Sequence, residues 1–167
     1  MGCSNPHPHG QVWAGDAVPE ELAPELKSFG DWKGKQRDAG HGGRGCLLCD
    51  YTHLELEKKV RVVCENEGFV VVVPYWAYWP FEVLVLPKRH ASQLSKITEQ
   101  EKTQLAAILK VITVKYDNLF ETSFPYSMGL HQEPASLGPA EHPDLAEDDF
   151  HLHFHFYPPL LRNASVK

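Results

Sequence analysis

Residues 151–157 read His151-Leu152-His153-Phe154-His155-Phe156-Tyr157. In an extended chain successive side chains point to opposite faces, so this alternation puts three imidazoles on one face and apolar side chains on the other. It reads as a final strand with one chemical face and one core face. Working upstream, 60–64, 69–73 and 81–86 are further β-branched runs, and the second is continuous enough to be buried on both sides. Residues 124–131 are another strand candidate. Pro74 and Pro80 bracket an aromatic turn, Tyr75-Trp76-Ala77-Tyr78-Trp79. Thr98 and Glu101 have the spacing of a capping box, and Leu105, Ile108, Leu109, Ile112 and Tyr116 follow at helical spacing. A short helix is expected over 19–29, and loops over 30–45 and 132–149. The expected class is α+β, a mostly antiparallel sheet with one main helix.

The 167 residues suffice for one domain with a core of its own. An apolar fraction of 43% marks a globular chain. Sixteen basic against 22 acidic residues give a net charge of −6, which argues against a general nucleic-acid partner. No apolar run approaches a membrane span, and no signal-peptide pattern opens the chain, so a cytoplasmic protein is expected. Cys3, Cys46, Cys49 and Cys64 then read as reduced thiols or metal ligands.

A second cluster of histidines lies at His7-Pro8-His9-Gly10-Gln11. In extended backbone, stiffened by Pro6 and Pro8, His7, His9 and Gln11 share a face. Neutral imidazole is a good nucleophile toward phosphorus, and a phosphorylated histidine stays reactive enough to pass its group on. Gln11 offers amide donors for phosphoryl oxygens. Taken alone, two histidines near a terminus are more readily a loop feature than a catalytic pair. A catalytic motif so close to a free terminus points to a missing N-terminal portion.

The wider string Gly2-Cys3-Ser4-Asn5-Pro6-His7-Pro8-His9-Gly10-Gln11 resembles the signature of galactose-1-phosphate uridylyltransferases, a branch of the histidine-triad superfamily. Val73-Pro74-Tyr75-Trp76-Ala77, Leu86-Pro87-Lys88-Arg89-His90, Ser123-Phe124-Pro125-Tyr126-Ser127-Met128-Gly129 and Phe156-Tyr157-Pro158-Pro159-Leu160-Leu161-Arg162 agree with it. The resemblance implies a histidine-triad-like fold, the second repeat of a duplicated one. Residues 1–30 would be the tail of the first repeat, 31–45 a loop, and 46–167 the second repeat. It implies UMP exchange between UDP-glucose and galactose-1-phosphate, with His9 as nucleophile and Gln11 on the phosphoryl oxygens. Gly2, Cys3 and Ser4 match part of the nucleotide-binding segment. Glu25, His131, His153 and His155 match an iron or zinc site. His7 matches one ligand of a first-repeat zinc site whose other ligands lie outside this sequence.

Family chains are much longer than this one. The expectation is therefore a second half, inactive alone, of a cytoplasmic homodimer. Cys46-Leu47-Leu48-Cys49 has metal-binding C-x-x-C spacing, against an even alternative of two core cysteines. Mapping the family's first-repeat zinc site onto the second repeat adds His90 and His151, an expected Cys₂His₂ zinc site. Competing readings are a nucleotide-sugar phosphorylase, a histidine-triad hydrolase and a non-catalytic metal-binding remnant.

Overall fold

A computed structural model describes residues 7, 20, 22–39, 45–119, 121–134 and 149–158. Among these described residues, three α-helices and five strands form in the order α1 (Leu22–Asp38), α2 (Leu47–Lys58), β1 (Val62–Glu65), β2 (Phe69–Val72), β3 (Val83–Pro87), α3 (Glu99–Leu119), β4 (Ser127–His131) and β5 (His153–Tyr157). A short 3₁₀ turn, Leu94–Lys96, precedes α3. The strands make one sheet, ordered β1-β2-β3-β5-β4, with every neighbouring pair antiparallel. Among the described residues no helix is long and apolar enough to cross a membrane.

The sheet is covered on both faces. Leu105, Ile108, Ile112 and Tyr116 of α3 pack against Phe69, Val71, Val83, Val85, Phe154 and Phe156. On the other face, Leu26 and Phe29 of α1 and Leu48 and Tyr51 of α2 pack against Val70, Val72, Leu84 and Leu86. This two-sided burial is why β2 and β3 read as unbroken apolar runs rather than alternating ones. The antiparallel sheet and mixed class are as the sequence pattern indicates, and the Thr98 capping box is present in full. The Thr98 N–H donates to Glu101 at 2.8 Å and the Glu101 N–H to the Thr98 hydroxyl at 3.2 Å.

Several element boundaries are corrected. α3 is the main helix expected, and two further α-helices accompany it among the described residues. The helix expected to stop at residue 29 runs to Asp38, so much of the expected 30–45 loop is helical. α2 carries no helical expectation at all. The strand ladders also start later than read, at Ser127 rather than 124 and at His153 rather than 151. In α1, Trp32 Nε1 donates to Asp50 at 2.8 Å and Lys33 pairs with Asp149, so tertiary partners hold a segment whose composition resembles a loop.

Candidate functional site

β5 supplies the first cluster. His153 and His155 are both buried and share the α1 face of the sheet, since Phe154 and Phe156 point to α3. β4 sets His131 directly opposite His153 in the antiparallel register. α1, anchored by buried Leu26 and Phe29, brings Glu25 over these rings. The Glu25 carboxylate lies 2.9 Å from His131 Nδ1, 3.5 Å from His153 Nε2 and 3.4 Å from His155 Nε2. Burial pushes the Glu25 carboxyl up, but the facing imidazoles of His131, His153 and His155 outweigh this and hold it well below the usual range. Burial likewise lowers His155, which favours the neutral ring a metal needs.

Two observations fit this cluster to a cation. Neither ring nitrogen of buried His155 has a hydrogen-bond partner among the described residues. The second concerns His153, whose Nδ1 donates to the His151 carbonyl at 2.7 Å; this assigns the proton to Nδ1 and leaves the Nε2 lone pair aimed at Glu25. One ligand atom from each of the four residues falls within 4.8 Å of the others, so together they could hold one ion. A cleft of about 590 Å³ opens beside them, lined by Glu25, His153, His155, Trp76, Trp79 and Tyr157 among others. Buried Glu82 shapes its rim, accepting from the backbone N–H groups of Tyr78 and Trp79 at 2.9 and 3.1 Å.

The second cluster gathers Cys46, Cys49, His90 and His151, again with ligand atoms within 4.8 Å of one another. Gly45, at φ +67°, turns the chain into α2, and Cys46 caps that helix by accepting the Cys49 N–H on Sγ at 3.4 Å. His90 follows β3 and His151 precedes β5. The hydrogen bond to Cys49 lowers the Cys46 thiol far below its usual range; burial opposes this, and His151 and His90 add to the lowering. His151, His153 and His155 thus divide between two clusters, as a spacing of two residues along a strand favours.

The match to known families decides the lineage. The family model described as galactose-1-phosphate uridyl transferase, C-terminal domain, matches residues 25–167, and the corresponding N-terminal domain model matches residues 1–19. The chain belongs to the galactose-1-phosphate uridyl transferase family. Its relatives named galactose-1-phosphate uridylyltransferase include one from Saccharomyces cerevisiae, 52% identical over all 167 residues, and one from Haemophilus influenzae, 50% identical over the same length. The chain spans 42% and 44% of those two uridylyltransferases. A solved uridylyltransferase mutant is 32% identical with a TM-score of 0.69, covering 85% of this chain and 41% of its own. An ADP-glucose phosphorylase from Arabidopsis thaliana, at 24% identity and a TM-score of 0.66 over 88% of this chain and 42% of its own, shares the fold.

Of the residues that the uridylyltransferase resemblance singles out, both four-residue sets converge in space. His7 is exposed at a bend. Gly2, Cys3, Ser4, His9 and Gln11 lie outside the described residues. Sequence reasoning missed Glu82 and the carbonyls of Pro87 and His151. A carboxylate at the head of the apolar run 81–86 was a usable signal for Glu82; backbone acceptors leave none.

Proposed function

We propose that the protein carrying this chain exchanges UMP between UDP-glucose and galactose-1-phosphate. The carrying observation is the family match along the whole chain, which takes in the His7-Pro8-His9-Gly10-Gln11 motif. In this reading a ring nitrogen of His9 attacks the α-phosphorus of UDP-glucose. The bond from that phosphorus to the bridging oxygen breaks, and glucose-1-phosphate leaves with the electron pair. A phosphate oxygen of galactose-1-phosphate then attacks the uridylyl-histidine, releasing His9 and forming UDP-galactose. Gln11 donates to the phosphoryl oxygens, and Gly2, Cys3 and Ser4 contribute to nucleotide binding. Activity in the cytoplasm and as a homodimer belongs to the same proposal.

Glu25, His131, His153 and His155 would hold an iron or zinc ion, since a carboxylate with three imidazoles suits either. A bound ion would supply fixed positive charge that ties α1 to β4 and β5. The residues themselves orient one another, with His153 held by the His151 carbonyl and Glu25 bridging the three rings. His7 remains assigned to a first-repeat zinc site.

Exchange of labelled glucose-1-phosphate into UDP-glucose, without galactose-1-phosphate, tests the reading. Exchange is expected, and His9→Asn should bring it below detection because an amide cannot form the phosphoramidate. Exchange that survives in His9→Asn contradicts the assignment. Product formed only with inorganic phosphate, or UMP released to water, would make the protein a phosphorylase or a hydrolase.

A further inference from the structure

The transfer chemistry leaves Cys46, Cys49, His90 and His151 unused. They come from three separated parts of the chain: the start of α2, the segment after β3 and the approach to β5. Cys49 Sγ lies 3.2 Å from His90 Nδ1 and 3.3 Å from His151 Nδ1, and Cys46 Sγ lies 3.4 Å from His151 Nδ1. Around a tetrahedral ion with metal–sulfur and metal–nitrogen bonds of about 2.3 and 2.0 Å, adjacent sulfur and nitrogen ligands sit about 3.5 Å apart.

Hydrogen bonds from two thiols to a neutral imidazole do not account for this cluster. His151 Nε2 lies 3.2 Å from the Pro87 carbonyl, which can only accept, so that nitrogen carries a proton, and in the neutral ring Nδ1 is the bare acceptor. A bare ring nitrogen has a single lone pair in the ring plane, yet two sulfurs lie at nearly equal distance from it. One lone pair cannot align with two S–H donors, but it can point at an ion lying between them. The contact from Nε2 to a backbone carbonyl is the usual outer-shell arrangement of a metal-ligating histidine. No disulfide joins Cys46 and Cys49.

We propose that Cys46, Cys49, His90 and His151 form a closed, structural site for a tetrahedral thiophilic divalent ion of the zinc class. Two thiolates select against magnesium and calcium, which prefer oxygen ligands, and they neutralise the ion's double charge, so burial is tolerated. With four protein ligands and with Cys46 and His151 buried, no position is left for water or substrate, which marks a structural site. The site also positions the neighbouring cluster. Pinning His151 fixes its carbonyl, and that carbonyl holds His153 Nδ1 at 2.7 Å, so the ion sets the direction in which His153 Nε2 faces Glu25. This inference stands apart from the transfer reaction and would survive its failure.

Zinc content and Co(II) difference spectra of the unmodified protein against Cys46→Ala/Cys49→Ala test it. The variant should lose one equivalent of zinc per chain, and the difference spectrum should show thiolate-to-cobalt charge transfer. Equal zinc content and a flat difference spectrum, in a variant with unchanged circular dichroism, overturn the proposal. A second measurement serves if the variant does not fold. In the unmodified protein, iodoacetamide labelling of Cys46 and Cys49, read by peptide mapping, should rise about tenfold or more when a chelator strips the metal. Labelling of the two cysteines that is the same before and after chelation overturns it equally.

Discussion

Glu55 is fully buried on α2, and Arg61 Nη1 donates to its Oε1 at 2.9 Å. Its other oxygen has no hydrogen-bond partner among the described residues. The Arg61 guanidinium also lies 4.9 Å from the centre of the Tyr75 ring, joining this pair to the aromatic turn. Breaking a buried pair by removing one partner leaves the other uncompensated, so Arg61→Met is expected to cost about 3 kcal/mol. Adding Glu55→Gln should recover a substantial part of that loss. Urea denaturation of the single and double variants checks this; a double variant no more stable than Arg61→Met would contradict it. The same residue explains a gap in the sequence reading. The buried side of α2 carries Leu48, Tyr51, Thr52 and Glu55, so two of its four positions are polar and the helical stripe is disguised. By contrast, the histidines of β5 and the C-x-x-C pair were legible, because their chemistry and spacing survive without knowledge of the fold.

Among the elements, α3 was the readiest to read, since its cap and its apolar spacing agree. Glu101 also accepts from Arg89 at 2.8 Å on each carboxylate oxygen. Arg89 is the main cause holding the Glu101 carboxyl down at about 2 against an ordinary 4.5, with burial opposing and Thr98 assisting. A depressed carboxyl stabilises the fold above its ordinary pKa, and the contribution is lost as pH falls from 4.5 toward 2. Glu101→Gln, which keeps an acceptor but removes the charge, should cost about 1 kcal/mol at pH 7, allowing for the half-exposed Arg89. Its deficit should shrink at pH 3; a deficit independent of pH would refute the assignment. At the end of α2, Lys59 adopts φ 52° and its N–H bonds the Glu55 carbonyl at 2.7 Å. Glycine suits this left-handed cap better, so Lys59→Gly should raise stability by about 0.5 kcal/mol in the same denaturation assay. No gain would mean that the exposed Lys59–Glu65 pair, at 3.4 Å, matters more than such pairs usually do. α1 escaped the sequence reading past Phe29 because Gly30 and Gly34 lower helix propensity, while its contacts through Trp32 and Lys33 exist only in the folded chain.

Across the molecule, one sheet carries an apolar face against α3 and a mixed face against α1 and α2, and both four-residue clusters lie on the mixed side. The region 151–155 joins them, since His151 serves one cluster while its carbonyl orients His153 in the other. Metal removal should therefore act as an unfolding stress. Chelation is expected to lower the thermal midpoint, with recovery on adding zinc back. An unchanged midpoint in metal-free protein would contradict the role of both clusters in holding the fold. The catalytic reading depends instead on His9. Its most direct test is mass spectrometry of the protein incubated with UDP-glucose alone, followed by peptide mapping under mildly alkaline conditions that preserve phosphoramidates. The account predicts one UMP on the peptide containing His9, discharged as UDP-galactose when galactose-1-phosphate is added. Turnover without that adduct, or UMP carried on another residue, would contradict it.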